Sequence, residues 1–181
     1  MERNIALIAL FAALIAALGL IPKVTLGFGV PITAQSLGVM LCGTVLGARR
    51  GALAVLLFLL LVAMGLPLLA GGRGGLGVFA SPTMGFLVGF PIAAFVTGLI
   101  TERWRNAPLT LVAGIASALG GIVVLYAFGT AGLALMLEKS LPEAAMLVAA
   151  FIPGDILKAA IAGMLTSALA RARPAAVLSR C

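Results

Sequence analysis

Asp155 and Lys158 stand three residues apart in the run Phe151-Ile152-Pro153-Gly154-Asp155-Ile156-Leu157-Lys158, whose other members are uncharged. On a helix that spacing puts two side chains on one face, so a carboxylate acceptor and an ammonium donor lie side by side. Such a pair serves either as a self-neutralising couple that fixes helix packing or as a polar clamp for a small ligand. Charge inside an apolar run costs a few kcal/mol on insertion into lipid, which makes a functional site the working hypothesis. Pro153-Gly154, just before the pair, weakens local backbone bonding and would shape a pocket there.

Other residues could join that chemistry. Arg73, within Gly71-Gly72-Arg73-Gly74-Gly75, is either a receptor for a carboxylate or a solvated loop charge. Gly72 and Gly74 beside it would let a ligand approach the backbone closely. This glycine run lacks the Lys-Ser/Thr ending of a phosphate-binding loop and does not open a helix after a strand, which argues against nucleotide binding. Gln35, with Thr33, either hydrogen-bonds a ligand or caps a helix. Phe79, Phe86 and Tyr126 are candidate stacking walls, or simply pack. The chain has no histidine, and Cys42 and Cys181 form no metal or redox spacing. With no nucleophile–base–acid set and no paired carboxylates, no catalytic residues, metal site or cofactor are expected. No ATP-binding motif is present either, so any pumping draws its energy from elsewhere.

The elements that must position these residues are membrane helices. The chain is 63% hydrophobic and 9% charged over 181 residues, whereas a soluble domain carries charge on about a quarter of its residues. A helix crossing the hydrocarbon needs about 20 apolar residues. The apolar runs then give six spans in one transmembrane domain over 1–181, at approximately 4–21, 33–48, 51–69, 83–101, 108–130 and 144–170. The second is short for a vertical crossing, which suggests a tilted or shielded helix. The apolar run after Met1-Glu2-Arg3 is long, with no small-residue cleavage site ahead of a soluble domain, and reads as the first span rather than a signal peptide.

Orientation follows from the basic residues. Eight of them, Arg3, Arg49, Arg50, Arg103, Arg105, Arg171, Arg173 and Arg180, fall on one side; Lys23, Arg73 and Lys139 fall on the other. This alternation favours six crossings with both termini cytoplasmic. The net charge of +7 is spread singly or in pairs between apolar runs, which argues against nucleic acid as a partner. Two outer loops, 22–33 and 70–82, are rich in glycine and proline yet fairly apolar; such backbone at membrane depth must pack in protein or line a cavity. Ala9, Ala13 and Ala17 recur every four residues along the first run, as do Ala12 and Ala16. Small residues at that spacing let helices approach closely, inside the bundle or against a partner.

The stretches Gly71-Gly72-Arg73-Gly74-Gly75-Leu76-Gly77-Val78-Phe79 and Ser81-Pro82-Thr83-Met84-Gly85-Phe86-Leu87-Val88-Gly89-Phe90 resemble a family signature. Val30-Pro31-Ile32-Thr33-Ala34-Gln35-Ser36-Leu37 upstream and Pro153-Gly154-Asp155-Ile156-Leu157-Lys158 downstream extend it. In this order, over nearly the whole chain, they resemble the BioY family, the biotin-binding S components of energy-coupling-factor (ECF) transporters. The resemblance implies an all-α, six-helix S-component fold in the prokaryotic cytoplasmic membrane, with a biotin pocket toward the outer face. It implies biotin as ligand, and as partners a transmembrane coupling protein and two ATPase subunits, or self-association in a solitary member. It also implies that the small-residue face at Ala9, Ala13 and Ala17 docks the coupling protein. Arg73 departs from the smaller residue expected between the glycine pairs.

Biotin suits the residues: its ureido ring offers two N–H donors and a carbonyl that an Asp and a Lys can satisfy together. Its carboxylate could meet Arg73 or Lys158, and its sulfur ring needs apolar walls. Two other readings compete. A secondary transporter of another small solute would show internal repeats, and no convincing repeat is present. A structural subunit of a membrane complex would need the alanine face but no pocket.

Overall fold

Helix α1 (Glu2–Leu18) begins with an acidic residue in its first turn, where the helix dipole favours negative charge. It belongs to an all-helical bundle, seen in a computed structural model that describes residues 2–25, 27 and 31–180. Val30, Cys181 and part of the outer loop at 22–33 lie outside the described residues. Two-residue strands Val24–Thr25 and Pro31–Ile32 pair antiparallel, with Val24 opposite Ile32. Helix α2 (Gln35–Leu46) follows, buried at every residue except Leu37. This is how a helix of only 12 residues sits in the bundle: its neighbours sheathe it from lipid.

One residue separates α2 from α3 (Ala48–Ala63). Gly47 adopts φ +84° there, a conformation that a side chain would strain. Glu102 closes the turn from the far side, its Oε1 accepting the Ala48 N–H at 3.0 Å. Helix α4 (Met84–Arg103) carries Glu102 at its end and tolerates Pro91 within it. It crosses the following helices through glycine: a Cβ on Gly85 would stand 2.9 Å from Gly132 Cα, so that crossing has no room for one.

Helix α5 (Leu109–Ala118) runs through one π-helical stretch, Leu119–Val124, into α6 (Leu125–Met136), making an apolar rod of 28 residues. The sequence suggests a single last run over 144–170, and the chain instead forms two helices there. Helix α7 (Leu141–Ala149) starts at a capping box, with the Ser140 N–H and hydroxyl both donating to the Glu143 carboxylate. Helix α8 (Ile152–Ala172) begins after a break at Ala150–Phe151. Pro153 lies in its first turn, where a missing N–H costs no intrahelical bond, so the proline starts the helix rather than kinking it.

By length and composition, α4, the α5–α6 rod and α8 can each cross a membrane. Helices α1 and α3, at 17 and 16 residues, are somewhat shorter. The C-terminal segment folds back beneath the bundle. Ser179 is buried there, its hydroxyl donating to the Thr44 carbonyl at 2.5 Å.

The two ends of the bundle differ. Arg49, Arg50 and Arg103 meet at one end. Asp155, Lys158 and Arg73 gather near the starts of α4 and α8, at the other.

Candidate ligand-binding site

A half-open cavity of about 570 Å³, its mouth included, lies between α2, α4, α6 and α8. Its apolar walls are Ile32, Leu69, Phe86, Leu87, Phe90, Leu125 and Phe151. Phe86 and Phe151 meet edge to face, with ring centroids 5.9 Å apart, a favoured aromatic geometry. The polar lining is Thr33, Gln35, Ser36, Arg73, Thr83, Asp155 and Lys158.

The charge pair sits in a saturated network. Lys158 Nζ donates to Asp155 Oδ1 at 2.7 Å, to Ser36 Oγ at 2.9 Å and to the Thr33 carbonyl at 2.6 Å. Its three protons are therefore matched by three acceptors. Ser36 in turn donates to Asp155 Oδ1 at 3.1 Å, and Tyr126 donates to Oδ2 at 2.7 Å. Asp155 is 5% exposed, and burying a carboxylate that deep is costly unless it is paired and hydrogen-bonded. The i, i+3 spacing on α8 aligns the pair. The network also ties α8 to α2 through Ser36 and to α6 through Tyr126, so any ligand group that takes one of these atoms must replace an existing bond.

Gln35 serves the backbone. Its Nε2 donates to the Ile15 carbonyl at 3.1 Å and the Leu68 carbonyl at 3.0 Å. Its Oε1 accepts the Ala70 N–H at 3.0 Å. One buried amide thus joins α1, α2 and the glycine loop, and its atoms at the cavity are already engaged.

Arg73 lines the cavity from the glycine loop, half-buried, with one long contact of 3.5 Å from Nε to the Ala70 carbonyl. Loop residues Gly71, Gly72 and Gly75 have φ values of +81°, +71° and +81°, a shape available chiefly to glycine. A Cβ on Gly74 would collide with the Leu66 carbonyl. Gly72 and Gly74 therefore shape the loop and do not line the cavity. Phe79 packs partly buried against the core cluster, also away from the lining.

Sequence reasoning proposed Phe86 as a wall and missed Phe90 and Phe151 in that role. Of the two roles open to Tyr126, stacking wall or simple packing, neither includes its hydroxyl, which donates to Asp155 while its ring meets Phe151 edge to face. Ser36 was unassigned. The available signal for Ser36 is its position one residue after Gln35 at the start of α2, where its hydroxyl bonds directly to both members of the charged pair.

On α1, Ala9, Ala13 and Ala17 are exposed, whereas Ala12 is buried and Ala16 half-buried. The two alanine series divide the helix between an inner face and an open one. Among the described residues, no three His, Cys, Asp or Glu side chains gather as metal ligands would.

A model of the BioY family matches residues 2–175. The chain belongs to the BioY family. Its sequence is 57% identical over 189 residues to a protein of Rhodobacter capsulatus named biotin transporter BioY, covering 99% of this chain and 100% of that one. A biotin transporter BioY of Rhizobium etli is 57% identical over 173 residues, 92% of each chain. A probable biotin transporter BioY of Bacillus subtilis is 42% identical over 166 residues, 91% of this chain and 89% of that one. The fold matches a crystal structure of the S component for biotin from an ECF-type ABC transporter. That match has a TM-score of 0.89 at 28% identity and covers 94% of this chain and 92% of the other. This BioY chain is thus an all-α membrane protein with the S-component fold.

Proposed function

We propose that this chain binds biotin in the α2–α4–α6–α8 cavity and serves as the substrate-binding subunit of an ECF-type transporter. The observation that carries this reading is the buried Asp155–Lys158–Ser36–Tyr126 network at one end of an otherwise aromatic cavity. A cyclic urea carries two N–H donors and a carbonyl, and this network holds a carboxylate, a hydroxyl and an ammonium within one site. The ureido ring takes the Asp155–Lys158 end, Phe86, Phe90 and Phe151 enclose the bicycle, and Arg73 meets the valerate carboxylate in the loop. Bidentate pairing with a carboxylate suits a guanidinium whose terminal nitrogens make no other hydrogen bond among the described residues. In this scheme Gln35, Gly72 and Gly74 hold the loop for Arg73, and Phe79 packs behind it.

The role is transport, not catalysis. The arginine-rich end faces the cytoplasm by the positive-inside rule, with six crossings, both termini inside and the cavity opening outward in the cytoplasmic membrane. The exposed alanine face of α1 at Ala9, Ala13 and Ala17 docks a transmembrane coupling protein served by two ATPase subunits, or a second copy in a solitary assembly. ATP hydrolysis in the partners supplies the energy, and reorientation of the bundle delivers biotin inward.

The test is calorimetry of the purified protein in detergent against biotin, desthiobiotin, thiamin and riboflavin. Tight binding of biotin, weaker binding of desthiobiotin and none of the other two vitamins is the expected pattern. Equal or absent binding of all four overturns the assignment.

A further inference from the structure

The arginine-rich end carries a second, separate pocket. Arg49 and Arg50 from the start of α3, and Arg103 from the end of α4, line it together with Glu102, Phe95 and Leu99. Glu102 offsets at most one of the three positive charges, and its Oε1 accepts the Ala48 N–H that closes the α2–α3 turn. Among the described residues the one carboxylate–cation bridge is Asp155–Lys158, so none of the three guanidiniums is paired. Three forked donors with an excess of positive charge are suited to phosphate oxygens.

The rest of the pocket is apolar and continues along the bundle's outer surface. Phe95 is 39% exposed, and Ile92 and Val88, one and two turns further along α4, are 37% and 47% exposed. The layout is a charged head site at a helix end with an apolar track leading from it toward the membrane centre. We propose that this pocket holds the headgroup phosphate of an anionic phospholipid of the inner leaflet, with an acyl chain along Phe95, Ile92 and Val88. Basic pockets between membrane helices on the cytoplasmic side have the right chemistry for such headgroups. The proposal rests on the membrane orientation given above and is independent of the biotin cavity, which lies at the opposite end.

The chain supplies its own reporter. Trp104, its one tryptophan, follows Arg103 directly and is 39% exposed. The protein is placed in phosphatidylcholine nanodiscs containing a brominated-chain lipid, either phosphatidylglycerol or phosphatidylcholine, and quenching of Trp104 is measured against mole fraction. Preference for the anionic lipid by about 25-fold is expected, from roughly fivefold for each of the two positive charges left in excess of Glu102. The preference falls to about twofold or less in Arg50→Gln/Arg103→Gln and is partly kept in Arg50→Lys/Arg103→Lys, which retains charge but loses the fork.

Biotin binding on the same discs reports folding, so loss of the biotin site and loss of the lipid site are read separately. No anionic preference in the native protein, or an undiminished one in the glutamine variant, overturns the proposal. Should the glutamine pair fail to insert, native mass spectrometry of the unaltered protein decides: retained phosphatidylglycerol supports the site, and complete delipidation in mild detergent overturns it. Displacement of the lipid by millimolar glycerol phosphate with no chain dependence would assign the pocket to free phosphate esters and overturn the lipid reading.

Discussion

Tyr126 Oη lies 2.7 Å from Asp155 Oδ2, while Lys158 and Ser36 hold the other carboxylate oxygen at 2.7 and 3.1 Å. The phenol comes from α6 and the carboxylate from the first turn of α8, so this one bond closes the cavity between two helices. It also aims the carboxylate. With both oxygens held, Asp155 presents a fixed acceptor geometry to whatever enters.

Tyr126→Phe keeps the ring contact with Phe151, at a centroid distance of 6.5 Å, and removes only the hydroxyl. A hydrogen bond to a charged group contributes about 1.5–3 kcal/mol. Biotin affinity is therefore expected to fall by about tenfold or more, as read by calorimetry. Unchanged affinity would mean that Asp155 holds its position without the phenol.

Asp155→Asn and Lys158→Ala should each weaken biotin binding by at least about 100-fold, since each removes one end of the clamp and strands the other. Stranding one partner of a buried ion pair costs about 3–5 kcal/mol, whereas replacing both by apolar groups is often close to neutral. Asp155→Leu/Lys158→Met is therefore expected to recover thermal stability lost in Lys158→Ala while remaining unable to bind. A melting series with and without biotin checks both halves. Unaltered affinity in both single variants would remove the pair from the binding site.

Gln35→Leu releases the backbone groups of Ile15, Leu68 and Ala70 together. The expected result is a faster biotin off-rate with a smaller change in on-rate, because the loop that carries Arg73 loses its anchor. Gln35→Glu should be worse still, since a carboxylate would face two carbonyl oxygens at 3.1 and 3.0 Å. Stopped-flow displacement separates the two rates.

Ala13→Leu places a large side chain on the exposed face of α1, far from the cavity. Biotin affinity should stay within about twofold, whereas co-purification with the coupling protein, or with a second tagged copy, should be lost. Ala12→Leu, on the buried face, should instead reduce yield and melting temperature. Matching behaviour of the two variants would deny that α1 has two faces.

Much of this arrangement was legible in the residues. Hydrophobicity marked the helical runs, the arginine alternation separated the two ends, and i, i+3 spacing brought Asp155 to Lys158. What stayed hidden depended on tertiary neighbours. Nothing local says that the Tyr126 hydroxyl, 29 residues before Asp155, will point at it, or that the Gln35 amide will be consumed by three backbone groups. The split of the last run had a readable cause: Ser140 and Glu143 have capping-box spacing, and a proline such as Pro153 is favoured in the first turn of a helix. Gly72, Gly74 and Phe79 were drawn toward the ligand by their place in the motif. The structure gives the glycines to loop shape, through positive φ and close approach to Leu66, and Phe79 to packing.

The 28-residue α5–α6 rod has a last consequence. At 1.5 Å per residue it measures about 42 Å, against roughly 30 Å of hydrocarbon. Helices α1 and α3, with 17 and 16 residues, measure only about 24–26 Å by the same rise. One flank of the molecule is thus longer than the hydrocarbon is thick and the other slightly shorter. A bilayer that adapts to both flanks thins beside α1 and either thickens beside the rod or lets it tilt. Bilayer thickness then acts on this protein as a torque, and lipids of different chain length should change how upright it stands.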